Sequence, residues 1–234
     1  MKLDTSSDDS KRLYPVFLDL AGRRCVIVGG GRLASERARQ FVDAGAEVRL
    51  IARELVPDLL EIVEEGQALW YPRSFRPGDL EGAFLAAADP RSDVDVEAVV
   101  SEADAHGIPL NVIDDPEHCS FYCGSVVRRG DLVVSISTTG RAPAIAVRLR
   151  ERLERELPHE LAGLLDLARS VREPLVARFA GFHERRQLWY RWADSGVLDL
   201  LRAGEDERAR RVTGALFGLE CPTAVADPPA GVVS

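Results

Sequence analysis

Through the first half of this chain, short apolar runs alternate with segments whose apolar residues recur at helical spacing. Cys25-Val26-Ile27-Val28 is an uninterrupted run of the kind that forms a strand buried on both faces, and it breaks into Gly29-Gly30-Gly31, a turn too tight for side chains. Leu33, Ala34, Ala38, Phe41, Val42 and Ala44 then follow at helical spacing up to Gly45, and Val48, Leu50 and Ile51 start a second strand. Pro57 to Gly66 predicts a helix, Ala68 to Tyr71 a strand, Ala83 to Ala88 another buried strand, Val94 to His106 a helix closed by Gly107, and Ile108 to Ile113 a further strand. This alternation predicts an α/β fold built on a doubly wound parallel sheet. Ahead of it, Tyr14 to Leu20 is expected to pack across the first strand.

Past Asp114-Asp115-Pro116 the pattern changes. Phe121 to Val127 and Leu132 to Ser137 predict two strands about a polar turn containing Gly130. Thr138-Thr139-Gly140-Arg141-Ala142 leads into Pro143, well placed in the first turn of a helix. Leucine and valine positions from Leu161 to Phe179, with Glu184 to Trp192, Leu198 to Leu201 and Ala209 to Phe217, predict a helical last third.

Composition narrows the class. A 46% hydrophobic content is that of a globular chain, and a net charge of −8 argues against a general nucleic-acid binder. No apolar run is long enough to span a membrane and the polar N-terminus lacks the apolar core of a signal peptide, so a cytoplasmic protein is expected. The four irregularly spaced cysteines fit reduced thiols.

Gly29, Gly31 and Ala34 fill the marked places of G-x-G-x-x-G/A inside a strand, turn, helix, strand unit. Bare backbone there lets a pyrophosphate approach, and the helix N-terminus offers free N–H groups to it. The second strand ends in Ala52-Arg53-Glu54. Glu54 stands about one residue late for an acidic ribose ligand and Arg53 suits a 2′-phosphate, so spacing leaves NAD and NADP both open. Asp114 follows a predicted strand and belongs to the ligand-binding carboxyl edge, where a carboxylate serves as general base or metal ligand; an Asp-Asp-Pro turn is the plainer reading of the same residues. His118-Cys119-x-x-x-Cys123 has the wrong spacing for a usual metal motif, so buried or incidental side chains are expected. Ser137, Thr138 and Thr139 suit either an anion cradle or helix capping. Trp189, Tyr190 and Trp192 are expected in a helical core, and Arg202 to Arg211 on a solvated face.

In order along the chain, Val26-Ile27-Val28-Gly29-Gly30-Gly31-x-Leu33-Ala34, Asn111-Val112-Ile113-Asp114-x-Pro116, Ser120-Phe121, Ile136-Ser137-Thr138-x-Gly140-x-x-Pro143 and Arg148-x-x-x-Arg152-Leu153-Glu154 resemble the precorrin-2 dehydrogenase/sirohydrochlorin ferrochelatase family, the N-terminal module of sirohaem synthase. The resemblance covers about Tyr14 to Phe217 and is to a single-module form. It implies a Rossmann domain (14–115), a dimerisation region (116–157) and a helical domain (158–220), while polar and proline-rich composition predicts a disordered lead (1–13) and a disordered tail (221–234).

The activity so implied is NAD-dependent dehydrogenation of precorrin-2 to sirohydrochlorin, and in bifunctional members insertion of ferrous iron, by an interlocked homodimer. Carried onto this sequence, the resemblance makes Asp114 the catalytic carboxylate and Gly29, Gly30, Gly31, Arg32, Leu33, Arg53 and Glu54 the cofactor contacts. Asn111, Ser137 and Thr138 fall on the tetrapyrrole side. Glu36-Arg37, Ala87-Ala88-Asp89 and Gly124 stand where the family usually has Arg-Lys, Ala-Thr-Asp and a proline. Two further readings are an NAD(H)-sensing module without catalysis and a chelatase without dehydrogenase activity.

Overall fold

A computed structural model describes residues 12–220; most of the polar lead and all of the tail, including Cys221, lie outside the described residues. By its internal contacts the chain divides into two units, Met1–Gly124 with Ser137–Pro143, and Ser125–Ile136 with Ala144–Ser234.

The first unit is a five-stranded, all-parallel sheet in the order β3-β2-β1-β4-β5. The strands are β1 (Arg24–Val28), β2 (Glu47–Ala52), β3 (Ala68–Pro72), β4 (Leu85–Ala88) and β5 (Leu110–Val112). They alternate with α1 (Arg32–Asp43), α2 (Pro57–Glu64) and α3 (Val96–His106). β1 shows why the sheet is doubly covered. Cys25 and Ile27 join the core on the side of α1 and α2 with Phe41, Leu59 and Ile62, whereas Val26 and Val28 join Val99 and Ala103 of α3 on the other. All four are at most 1% exposed, so the strand has no polar face. Burial pushes the Cys25 thiol up to about 11, which keeps it protonated and inert. Pro57 opens α2 and left-handed Gly107 closes α3 where the sequence indicated, whereas α3 starts at Val96 rather than Val94 because the Asp95 carboxylate caps it by accepting the Ala98 N–H.

Two expectations for this unit are corrected. Tyr14 to Leu20 does not pack across β1: Tyr14 is 87% and Phe17 73% exposed, and only Leu20 enters the core. Phe121 to Gly124 is not strand, because the Ser120 and Phe121 N–H groups are drawn to the Leu110 carbonyl of β5 while Phe121 and Tyr122 pack on opposite sides of the sheet.

In the second unit β6 (Ser125–Arg129) pairs antiparallel with β7 (Leu132–Ile136). Gly130 turns the hairpin at φ 57°, and a side chain there would press on Ala162. The helices are α4 (Pro143–Glu156), α5 (Leu161–Arg178), α6 (Phe182–Ala193), α7 (Val197–Arg202) and α8 (Asp206–Phe217). Leu167, Val171, Leu175, Leu188, Trp192, Val197, Ala209 and Phe217 form its core. Trp192 donates its indole N–H to Thr213 Oγ1 at 2.9 Å and Trp189 stacks edge-on against both Trp192 and Phe217. Tyr190, expected with them, lies on the surface.

Candidate active site

The strand order reverses direction at β1, whose neighbours are β2 and β4, and a crevice opens there at the carboxyl ends of the strands. Its floor is the glycine turn. Gly29 has φ 121°, outside the range open to other residues, and a Cβ on it would lie 2.9 Å from Asp89 Cβ. A Cβ on Gly30 would lie 1.9 Å from the Glu54 carbonyl oxygen, and one on Gly31 2.7 Å from Asp89 Oδ2. Each of the three glycines is therefore required by a backbone or a buried carboxylate pressed against it. The turn is tied to both neighbours of β1: the Gly29 N–H donates to the Ile51 carbonyl at 2.9 Å, the Gly30 N–H to Ser92 Oγ at 3.3 Å, and the Val56 N–H to the Gly30 carbonyl at 2.9 Å.

Gly31 is the N-cap of α1, with no side-chain cap and no acidic residue in the first turn. The helix thus has no acidic side chain of its own first turn to answer the N–H donors at its positive end. In front of it lies a cavity of about 470 Å³ lined by Gly29, Gly30, Gly31, Ala52, Arg53 and Glu54, and closed by Ser74, Ser92 and Asp93. This is a fit for a dinucleotide: bare backbone and free N–H groups for a pyrophosphate, flanked by the end of β2 for a ribose. Arg32 is exposed and 3.9 Å from Glu36, and Leu33 is half-buried. Ser74, Asp89, Ser92 and Asp93 were not singled out for the site by sequence reasoning. Of these only Asp89, directly after the end of β4, had a signal in the sequence, in the run Ala87-Ala88-Asp89.

Asp114 stands beyond the end of β5, on the far side of β4 from the glycine turn. It is both a turn residue and an edge carboxylate. Its φ of 63° is left-handed, an uncommon state for a non-glycine residue, and its side chain is 59% exposed. Arg91, from the loop after β4, donates to Asp114 Oδ2 at 2.6 Å.

The turn below is heavily bonded. Cys119 donates its thiol to the Val112 carbonyl at 3.1 Å and to the Asp115 carbonyl at 3.2 Å. Asn111 is 6% exposed; its amide donates to Cys119 Sγ and the Phe121 carbonyl, and its oxygen accepts from Arg37 at 3.3 Å. Both of its N–H donors are thus used inside the protein. Thr138 Oγ1 accepts the Ala142 N–H at 3.3 Å and Ser137 Oγ accepts the Thr139 N–H at 3.2 Å, so both act as local caps. Their segment lies against Pro116: a Cβ on Gly140 would be 3.2 Å from Pro116 Cγ. Among the described residues no three His, Cys, Asp or Glu side chains group to hold a metal ion.

His118 accounts for the rest of the turn. Its Nδ1 is 2.7 Å from Asp115 Oδ2 and its Nε2 3.8 Å from Glu97 Oε1 of α3. The Asp115 hydrogen bond raises the His118 pKa, and the same bond holds the Asp115 carboxyl low. A histidine raised on folding stabilises fully below its unfolded pKa of about 6.5 and loses that contribution as pH rises through the folded value. A lowered aspartate contributes above about 3.9 and loses its part as pH falls through the folded value. His118→Gln is therefore expected to lower the melting temperature at pH 5.5 and to leave it unaltered at pH 9, in parallel thermal melts.

Residues 16–125 match a family model described as NAD(P)-binding, residues 129–156 one described as the central region of sirohaem biosynthesis proteins, and residues 160–217 one described as the sirohaem synthase dimerisation region. The last falls on the stretch that the sequence reads as helical domain. Siroheme synthase 3 of Aeromonas hydrophila is 38% identical over 208 residues, which is 88% of this chain and 44% of that protein. Siroheme synthase of Azotobacter vinelandii is 34% identical over 91% of this chain and 46% of its own length. The chain thus spans less than half the length of these curated relatives. Among solved structures, SirC, a precorrin-2 dehydrogenase, superposes with a TM-score of 0.66 at 21% identity, covering 87% of this chain and 100% of that one, a likeness of fold. The ordered matches to the NAD(P)-binding, central and dimerisation family models, with the siroheme synthase relatives along the same stretch, place this chain in the family of sirohaem biosynthesis proteins that shares the N-terminal module of sirohaem synthase.

Proposed function

We propose that the chain is an NAD-dependent dehydrogenase that converts precorrin-2 to sirohydrochlorin, working as a cytoplasmic homodimer through the segment related to the dimerisation region. The observation that carries this reading is the placement of a fitted dinucleotide crevice and an exposed carboxylate, Asp114, at the same edge of one sheet on either side of β4. When bound, the nicotinamide ring supplies the hydride acceptor.

The residues of the chain do the rest. Gly29, Gly30 and Gly31 let the backbone close on the pyrophosphate, and the first N–H groups of α1 at Arg32 and Leu33 carry its charge. Arg53 and Glu54 face the adenosine ribose. Asp114 takes the proton that leaves as the hydride departs, so the hydride carries off both electrons and the proton completes the two hydrogens removed. Arg91 orients that carboxylate before substrate arrives. Asn111, buried, holds the turn that presents Asp114, and Ser137 and Thr138 border the tetrapyrrole side next to Pro116.

Anaerobic incubation of the protein with precorrin-2 and NAD tests the reading. Nicotinamide reduction accompanied by the sirohydrochlorin spectrum is the expected result; the absence of both signals would overturn it. Ferrous iron added to the product as a second substrate separates a dehydrogenase from a dehydrogenase that is also a chelatase. NADH binding without any tetrapyrrole affinity would favour the sensing module instead.

A further inference from the structure

The outer wall of the glycine-turn cavity is built from three separate loops that meet at Arg53. Its Nε donates to Ser74 Oγ at 2.7 Å, beyond β3, and its Nη1 pairs with Asp93 Oδ2 at 3.0 Å, from the loop after β4. Both members of this pair are largely exposed, so it adds little to folding. What it does is hold a guanidinium at the end of β2, where the 2′ position of an adenosine ribose lies in this fold. An arginine at that place ordinarily favours the 2′-phosphate of NADP(H). Here the charge is already answered. Of the residues lining the cavity, Arg53 is the one cation, against two carboxylates, Glu54 and Asp93.

On the dinucleotide reading proposed above, we infer that Asp93 is the residue that makes this site select NAD(H) over NADP(H). It occupies the Arg53 edge that a 2′-phosphate would need, and it sets a negative charge beside a group that carries nearly two more. A ribose 2′-hydroxyl meets no such penalty, because it can donate to a carboxylate. Selectivity of this kind works through repulsion of the wrong ligand. It also displaces the usual discriminating acid from the second strand, where Glu54 is one residue late, to the loop after the fourth.

The test is titration of the full chain with NADH and with NADPH, read by nicotinamide fluorescence and requiring no turnover. The native protein is expected to bind NADH at least tenfold more tightly. Asp93→Asn, which keeps the shape and removes the charge, is expected to tighten NADPH roughly tenfold while shifting NADH much less, an electrostatic effect of ordinary size for a neighbouring charge. Asp93→Ser should do the same, and adding Arg53→Ala to either should abolish the gain, because the gain comes from the released guanidinium. If NADH binds and Asp93→Asn leaves the NADPH affinity where it was, or if the native protein already binds both alike, the inference falls while the dinucleotide site stands. If the native protein binds neither, the site reading itself falls and takes the inference with it.

Discussion

Gly30→Ala is expected to abolish dinucleotide binding and to destabilise the first unit. The new methyl group would sit 1.9 Å from the Glu54 carbonyl oxygen, far inside contact distance, and the clash is with backbone that cannot rotate away. Relief requires the glycine turn and the end of β2 to separate. That movement breaks the bond from the Val56 N–H to the Gly30 carbonyl, which fixes the start of α2. Overpacking of this kind costs roughly 1–3 kcal/mol and sometimes more, a sizeable part of the stability of an ordinary domain. The same displacement moves the first N–H groups of α1 away from the pyrophosphate position, so binding should weaken by far more than the loss of stability alone would produce. Fluorescence titration with NADH alongside a thermal melt checks both. A folded variant that binds NADH normally would mean that the crevice in front of α1 is not the dinucleotide site.

The second large effect is expected at Asp114. Asp114→Asn keeps the size of the side chain and its capacity to accept a bond from Arg91, but it removes the proton acceptor. General acid–base groups contribute typically about 10²–10⁴-fold, so turnover should fall by that factor. Dinucleotide affinity should hardly change, because Asp114 lies across β4 from the glycine turn. Fold should also survive, since the carboxylate is exposed and pairs with an exposed arginine. Arg91→Ala, by contrast, leaves the carboxylate in place and frees its orientation. It should cost less than the loss of Asp114 itself.

The parallel sheet and its helices were legible because β1 and β4 are buried on both faces and must be apolar in their cores, and because Pro57 and Gly107 punctuate the chain locally. The glycine turn was legible for the same reason: contacts at Gly29, Gly30 and Gly31 forbid any other residue. What pattern could not give is what covers an apolar segment. Tyr14 and Phe17 have the composition of core and lie exposed, and Phe121 to Gly124 has strand-forming residues whose backbone is engaged by Leu110. Charge pairs were beyond reach for a simpler reason. Arg91 with Asp114 and Arg53 with Asp93 join loops that only the closed sheet brings together, and neither partner signals the other in sequence. Asn111 illustrates the same limit. Nothing in its motif signalled that its amide would bond to Cys119 and Phe121 and its oxygen accept from Arg37.

The central claim is that the glycine turn and Asp114 serve one active site. A single-turnover experiment measures this most directly: native protein and Asp114→Asn, each saturated with NAD, are mixed anaerobically with precorrin-2 and followed by nicotinamide absorbance. The account predicts one NADH per precorrin-2 consumed by the native protein, and a rate lower by roughly two to four orders of magnitude in the variant at undiminished NAD affinity. Equal single-turnover rates in the two proteins would contradict it.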